Sequence, residues 1–305
     1  MLTVASVPPA QLRSRLASTG LRLRTGQFVT CVRSAIPQVA DGIALLYGEY
    51  PLAGDDSFTD FHLNLSRPPG LRGWWRPQVQ VDHDGAKPFT PLPLDQAFPM
   101  LEWAMNWCVS SRVQSCLVIH AAVIEKNGRA AILPAPPGSG KSTLCAALIH
   151  RGWRLLSDEL TLVSLDSGEL TGLARPVSLK NASIEVIRAW APDAVFSPSV
   201  RDTVKGTVAH MKAPSESIAR VDEPALPAWI VFPRYVADAA PELAPIPKAR
   251  AFLRVAENAF NYSLLGVAGF HAVAELIERS DAYDFRYSRL DDAVAAFDRL
   301  AGVAP

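Results

Sequence analysis

The sequence has little that would indicate a disulfide framework or a zinc site. Its 305 residues contain only four cysteines, and no two of them form a C-x-x-C pair. Disulfide scaffolds and structural zinc sites need more cysteines, or cysteines paired at short spacings. The pattern instead predicts small, buried thiols in a reducing compartment. The four are Cys31, Cys108, Cys116 and Cys145.

Long apolar runs are also missing. No stretch approaches the roughly 20 apolar residues that a membrane-spanning helix requires. The first 30 residues mix prolines with arginines, whereas a signal peptide has a continuous apolar centre. We therefore expect a cytoplasmic protein with no membrane partner.

The chain has no excess of charge of either sign. Thirty Lys and Arg residues balance 30 Asp and Glu residues, so the formal net charge is zero. A neutral chain has no overall field that attracts nucleic acid, and we expect no nucleic-acid partner. Hydrophobic residues make up 49% of the sequence, which is typical of globular proteins and excludes a mainly disordered chain.

The first 90 residues have the pattern of a small antiparallel sheet. Residues 27–32, 43–50, 58–65 and 78–81 are strand-like and are separated by Gly, Pro and Asp turns. A proline-rich connector follows, and Asp95 is placed to cap a helix over 96–113. We predict a β-rich N-terminal domain with a linker helix over 1–112, and a second domain over 113–305.

The second domain has an α/β pattern. An apolar strand over 117–124 leads through Asn127-Gly128, a strong hairpin signal, into a returning strand over 129–133. A glycine-rich turn, a helix over 142–150 and a strand over 153–157 come next. Further along, the pattern predicts a hairpin over 160–173, a strand over 229–232, and helices over 183–190, 271–278 and 291–300.

The glycine-rich turn matches a phosphate-binding loop. Residues 135–143 read A-P-P-G-S-G-K-S-T, which fits G-x-x-x-x-G-K-[ST] except at Ala135. Glycines let several backbone N–H groups converge on phosphate, the lysine supplies a cation, and the serine hydroxyl suits Mg²⁺. The strand, loop and helix order is the context that this motif needs. The predicted nucleotide-binding residues are Pro136, Pro137, Gly138, Ser139, Gly140, Lys141, Ser142 and Thr143.

Two acidic residues follow the next strand. Asp158 and Glu159 come 17 and 18 residues after Lys141, where a parallel α/β sheet binds its ligands. A carboxylate there can hold Mg²⁺ or accept a proton from an attacking hydroxyl, although a surface acidic pair in a turn has the same sequence. The GTPase tetrapeptide Asn-Lys-x-Asp is absent from the sequence, which favours ATP over GTP.

His120 lies in the strand before the loop, where a lone histidine is more often part of the core than catalytic. Together with the Asn127-Gly128 hairpin, the loop, and the segment R-G-W-R-L-L-S-D-E at 151–159, however, it forms a recognisable set. The set resembles the catalytic core of bacterial HPr kinase/phosphorylase and, more closely, related kinases that act on peptides. The resemblance covers about residues 115–170. Ala121, Glu159 and Ala135 stand where that family has Gly, Asp and Gly.

The resemblance implies a nucleotide-binding domain similar to that of phosphoenolpyruvate carboxykinase, in a homo-oligomer. It also implies phosphate transfer from a nucleotide to a serine hydroxyl on a protein. The residue matching Asp158 is then the base, the one matching His120 lies near the transferred phosphate, and the one matching Ser142 binds Mg²⁺.

We therefore predict an ATP- and Mg²⁺-dependent kinase that acts on a serine of a protein or peptide. Its predicted catalytic residues are Asp158, His120 and Lys141, and its metal-binding residues are Ser142, Asp158 and Glu159. The alternatives are a nucleotide-binding regulatory module without turnover and a simple ATP hydrolase.

Overall fold

The computed structural model describes residues 2–70, 75–136 and 138–302. Pro137 of the predicted phosphate loop lies outside the described residues. Within them the chain forms two compact units. The first draws on residues 1–108, 178–181 and 194–212, and the second on 109–177, 182–193 and 213–305. The division into independent domains at residue 112 stays a prediction.

Helices and strands alternate irregularly before residue 113. Helices of the described residues there include α1 (Pro9–Ala17), α2 (Pro37–Leu46) and α3 (Ala97–Arg112). The strands are β1 (Leu21–Thr25), β2 (Phe28–Ser34), β3 (Phe61–Ser66), β4 (Gln78–Asp82) and β5 (Leu92–Pro93). Asp95 lies in a short 3-10 helix, Leu94–Gln96, so it is not the N-cap of α3 as predicted.

The rest of the chain is a mixture of helices and strands. Its strands are β6 (Cys116–Lys126), β7 (Arg129–Pro134), β8 (Arg154–Ser157), β9 (Leu160–Ser164), β10 (Leu170–Thr171), β11 (Val177–Lys180), β12 (Val200–Thr203), β13 (Gly206–Met211), β14 (Leu226–Tyr235), β15 (Glu242–Pro245) and β16 (Asp281–Tyr287). Its helices are α4 (Lys141–Ile149), α5 (Ala182–Trp190), α6 (Ser215–Ala219), α7 (Lys248–Glu257), α8 (Tyr262–Leu265), α9 (Val267–Glu278) and α10 (Leu290–Leu300).

The first unit corrects the prediction of a purely antiparallel sheet. In the described residues β1 to β5 pair in chain order, but β2 and β3 are parallel. A parallel pair needs a long crossover, and α2 provides it, so the strand predicted over 43–50 is wrong. Pro37 sits in the first turn of α2, and Val39, Ile43 and Leu46 follow at helical spacing and are buried. The strands β11, β13 and β12 form a separate small sheet.

The second unit is built on one large sheet. Among the described residues its order is β10-β9-β6-β7-β14-β16-β15, with β8 also paired to β6. The pairs β7–β14 and β14–β16 are parallel, so these three strands end at the same edge. Since β8 and β7 are both antiparallel to β6, β8 ends in the same direction. The predicted hairpin is confirmed, with Asn127 and Gly128 both at positive φ.

Both faces of this sheet are packed, and one hydrophobic core lies under the face that α7 and α9 cover. Alternate residues of β6, including Leu117, Ile119 and Val123, pack with buried residues of α7 and α9 such as Val255 and Val273. The period of two along the strand places these side chains on the face opposite His120. Packing thus fixes which way His120 points.

No helix in the described part of the chain combines the length and the apolar character needed to cross a bilayer.

All four cysteines are buried free thiols, as predicted. Burial raises the pKa of Cys116 to about 11, so about one molecule in a thousand carries its thiolate at pH 8. We expect no rapid reaction of the native protein with Ellman's reagent at pH 8, and four reactive thiols after denaturation. Stoichiometric labelling of one thiol within minutes in the native protein would contradict this burial.

Candidate functional site

The loop between β7 and α4 has a backbone that requires glycine. Gly138 and Gly140 have φ values of 85° and 90°, in the region that favours glycine. A Cβ on Gly140 would lie 2.5 Å from the hydroxyl oxygen of Tyr287, whereas one on Gly138 would meet nothing within 4 Å. The loop is therefore tightly packed at Gly140 and open at Gly138.

The N-terminus of α4 offers hydrogen-bond donors. Gly140 is its N-cap and, among the described residues, no side chain caps the helix. The first N–H groups of a helix have no partner within it, and the helix dipole adds partial positive charge there. Beside them, the buried hydroxyl oxygen of Ser139 has no hydrogen-bond partner in the described part of the chain. These donors fit an anion with several oxygens.

Lys141, His120 and Glu159 come together next to this loop. Ala121 pairs with Pro134 between β6 and β7, which brings His120 alongside the start of the loop. The Lys141 Nζ lies 3.4 Å from the His120 Nε2, and a Glu159 carboxylate oxygen lies 3.8 Å from the His120 Nδ1. The same oxygen is 4.0 Å from the Lys141 Nζ. The structure thus brings together three residues that lie far apart in sequence.

This arrangement fits one tautomer of a neutral His120. A lysine ammonium group only donates, so the Nε2 that faces Lys141 accepts. The proton of a neutral imidazole then sits on Nδ1, facing Glu159. The Lys141 side chain is only 8% exposed, and its charge has Glu159 as a nearby counter-ion.

Asp158 lies at the end of β8 and is more deeply buried than Glu159. Asp158 is 4% exposed, and the Glu159 side chain is 18% exposed. Burial raises the pKa of the Cys145 thiol, the negative charge of Asp158 raises it further, and the positive charge of Lys141 lowers it. The charges of Asp158 and Lys141 thus act in opposite directions on the pKa of one buried thiol of α4.

The other predicted residues lie along the same segment. Ser142 and Thr143 are half-buried in the first turn of α4, and Pro136 is exposed before the loop. In the described residues no group of three or more His, Cys, Asp or Glu side chains is close enough to hold a metal ion. The hydroxyl of Ser142 and the carboxylates of Asp158 and Glu159 are oxygen donors of the type that Mg²⁺ binds, and Mg²⁺ commonly completes its coordination with substrate phosphates.

Sequence reasoning missed two tyrosines that hold the loop. The backbone N–H of Tyr235 donates to the Ser139 carbonyl at 2.9 Å, and the Tyr287 hydroxyl donates to the Gly140 carbonyl at 3.1 Å. These tyrosines end β14 and β16, the two strands that run parallel to β7. Their positions at the carboxyl ends of strands were the available signal, because such ends share an edge with the loop.

Sequence reasoning also missed the segment 258–261, which lies along β6 next to His120. The His120 N–H donates to the Asn258 carbonyl at 2.7 Å, and the Phe260 N–H donates to the Val118 carbonyl at 2.8 Å. The Phe260 ring stands edge-on to the imidazole, with centroids 5.7 Å apart. The side chain of buried Asn261 accepts from the Val118 N–H and donates to two backbone carbonyls of the chain before it. No local sequence pattern indicates this contact.

Comparisons with known proteins give limited matches. The family described as SynChlorMet cassette protein ScmC matches residues 95–175. The solved structure of the HPr(Ser) kinase/phosphatase from Coxiella burnetii aligns with 61% of this chain and 97% of its own, at 12% identity and a TM-score of 0.26. A likeness that weak carries no weight for the fold or the activity. No curated protein matches the chain.

Proposed function

We propose that the chain is an ATP- and Mg²⁺-dependent kinase that transfers phosphate to a serine hydroxyl on a protein or peptide. The observation that carries the proposal is the convergence of Lys141, His120 and Glu159 beside a helix N-terminus that no side chain caps among the described residues, with Asp158 directly after β8. Phosphoryl transfer depends mostly on positioning and on charge stabilisation, and this edge offers both. The sequence resemblance to HPr-kinase-like enzymes supports the same reaction.

The proposal gives each residue a role. The loop from Pro136 to Thr143 binds the phosphates through the backbone N–H groups that follow its two prolines, and Lys141 neutralises charge that develops during transfer. His120, held between Lys141 and Glu159, contacts the phosphoryl group. Asp158 accepts the proton of the incoming serine.

Ser142, with Asp158 and Glu159, would hold Mg²⁺, which neutralises phosphate charge when bound. The Ser139 hydroxyl, which has no hydrogen-bond partner in the described part of the chain, and the open space at Gly138 suit a phosphate chain.

The proposal is tested by adding radiolabelled ATP and Mg²⁺ to the purified chain with a cell extract. We expect label on an extract protein with the wild type, and at least a 100-fold lower rate with Lys141→Met because the cation is lost, an order-of-magnitude expectation for such electrostatic groups. Lys126→Met is the matched control, since Lys126 pairs with Asp298 instead.

The other outcomes separate the alternatives. Phosphate release without labelling would support a hydrolase, and nucleotide binding without either would support a regulatory module. Equal labelling by the wild type and the Lys141→Met variant would contradict the assigned site.

A further inference from the structure

The carbonyl groups of two consecutive loop residues are held by two neighbouring strands. The Ser139 carbonyl accepts from the Tyr235 N–H, and the Gly140 carbonyl accepts from the Tyr287 hydroxyl. Tyr287 is buried, and its ring is stacked on Phe285 with centroids 5.3 Å apart. The donor is therefore fixed in place by packing before any ligand arrives.

These two bonds orient the N–H groups of the loop. A peptide group is planar and trans, so its N–H points opposite to its carbonyl. When the Ser139 carbonyl faces Tyr235, the N–H of Gly140 faces away from that strand end. When the Gly140 carbonyl faces Tyr287, the N–H of Lys141 likewise faces away. Both N–H groups are directed outward at the N-terminus of α4, where an anion would bind.

We propose that Tyr287 is a positioning residue for polyphosphate binding, because its hydroxyl fixes the peptide between Gly140 and Lys141. The inference rests on the proposed function, since it concerns the same loop. It extends that function to a residue 147 positions from the loop, on a different strand. The same hydrogen bond explains why the Tyr287 hydroxyl lies so close to Gly140, where a Cβ would displace it.

The hydroxyl is not needed to satisfy the loop. The Gly140 carbonyl also accepts from the Leu144 N–H at 2.9 Å within α4, so it keeps a partner when the hydroxyl is removed. Phenylalanine keeps the ring that stacks on Phe285. Tyr287→Phe therefore removes one of the two hydrogen bonds that orient this carbonyl, and little of the packing.

The test is calorimetric titration of the full chain with ATP and, separately, with inorganic tripolyphosphate. For Tyr287→Phe we expect affinity for both ligands to fall about three- to tenfold, the usual net worth of one hydrogen bond, with unchanged binding stoichiometry. Tyr283→Phe is the matched control because Tyr283 lies on the same strand and away from the loop. Its affinities should equal those of the wild type.

Each possible result supports or contradicts the role of Tyr287 in polyphosphate binding. Equal affinities for the wild type and Tyr287→Phe would overturn the inference and leave the proposed function standing. An equal loss in Tyr283→Phe, or a lower stoichiometry at unchanged affinity, would show a merely structural role. Because stoichiometry and affinity are fitted separately, a partly folded sample still reports the affinity of its folded fraction. Failure of the wild type to bind either ligand would overturn the proposed function and the inference together.

Discussion

Asp158→Asn is expected to lower the rate of phosphate transfer by about 10²–10⁴-fold, the usual contribution of a positioned base. Asparagine has nearly the shape of aspartate, so it fits the buried position, but it does not accept a proton. The measurement is single-turnover transfer of label from ATP to the extract acceptor. ATP affinity without Mg²⁺ should change little, because the loop and Lys141 remain.

Glu159→Gln is the matched comparison, because it makes the same chemical change one residue later. Glu159 contacts His120 and Lys141, so we expect its loss to weaken their alignment and to cost less than the loss of the base. If Glu159→Gln abolished transfer while Asp158→Asn retained it, the base would be Glu159. If both variants kept full activity, the site would not perform the proposed reaction.

Arg154→Met is expected to lower the free energy of unfolding by about 3–5 kcal/mol, since the buried Glu125 carboxylate then keeps only the more exposed Arg220 as an ion-pair partner, at 3.9 Å. Arg154 and Glu125 are 5% and 3% exposed and form a direct ion pair. Arg154 also donates to the carbonyls of Arg220 and Glu223 at 2.7 and 2.9 Å. Urea unfolding followed by tryptophan fluorescence measures the loss.

Glu125→Gln should cost less, about 1–3 kcal/mol, because Arg154 keeps both backbone acceptors. The double variant should lower the free energy of unfolding by less than the sum of the two single losses, because neither charge of the pair then remains buried without the other. A loss below about 1 kcal/mol for Arg154→Met would contradict the importance of this pair.

This ion pair also bears on the site. Glu125 and Arg154 face each other across β6 and β8, the strands that lead to His120 and Asp158. A shift of one residue between these strands would turn alternate side chains to the opposite face. The pair therefore helps to fix the register on which the two predicted catalytic residues depend.

Local chemistry predicted much of the second unit. The Asn127-Gly128 turn, the glycine loop and the helix after it each follow from backbone preferences that a few neighbouring residues determine. The same reasoning failed at 43–50, where an apolar run was interpreted as a strand. There, Pro37 and the spacing of Val39, Ile43 and Leu46 indicate a helix, and that helix makes β2 and β3 parallel.

The contacts around the site join residues that lie far apart in the sequence. Tyr287 reaches Gly140, and Phe260 reaches His120, across more than 130 residues of intervening sequence. No window of neighbouring residues contains both partners, so periodicity and turn chemistry do not predict them. The order of strands in the sheet brings the tyrosines to the loop, and that order follows from the packing of the whole unit.

The position of Asn261 has a consequence for protein synthesis. Its side chain satisfies buried backbone groups near the start of β6, 143 residues earlier for Val118. A ribosome that adds 5–20 residues per second reaches Asn261 about 7–30 s after Val118. Until then, those peptide groups have to stay hydrated or bind a temporary partner. A nascent chain therefore contains His120 and the loop for several seconds before the contacts of Asn261 with the start of β6 can form.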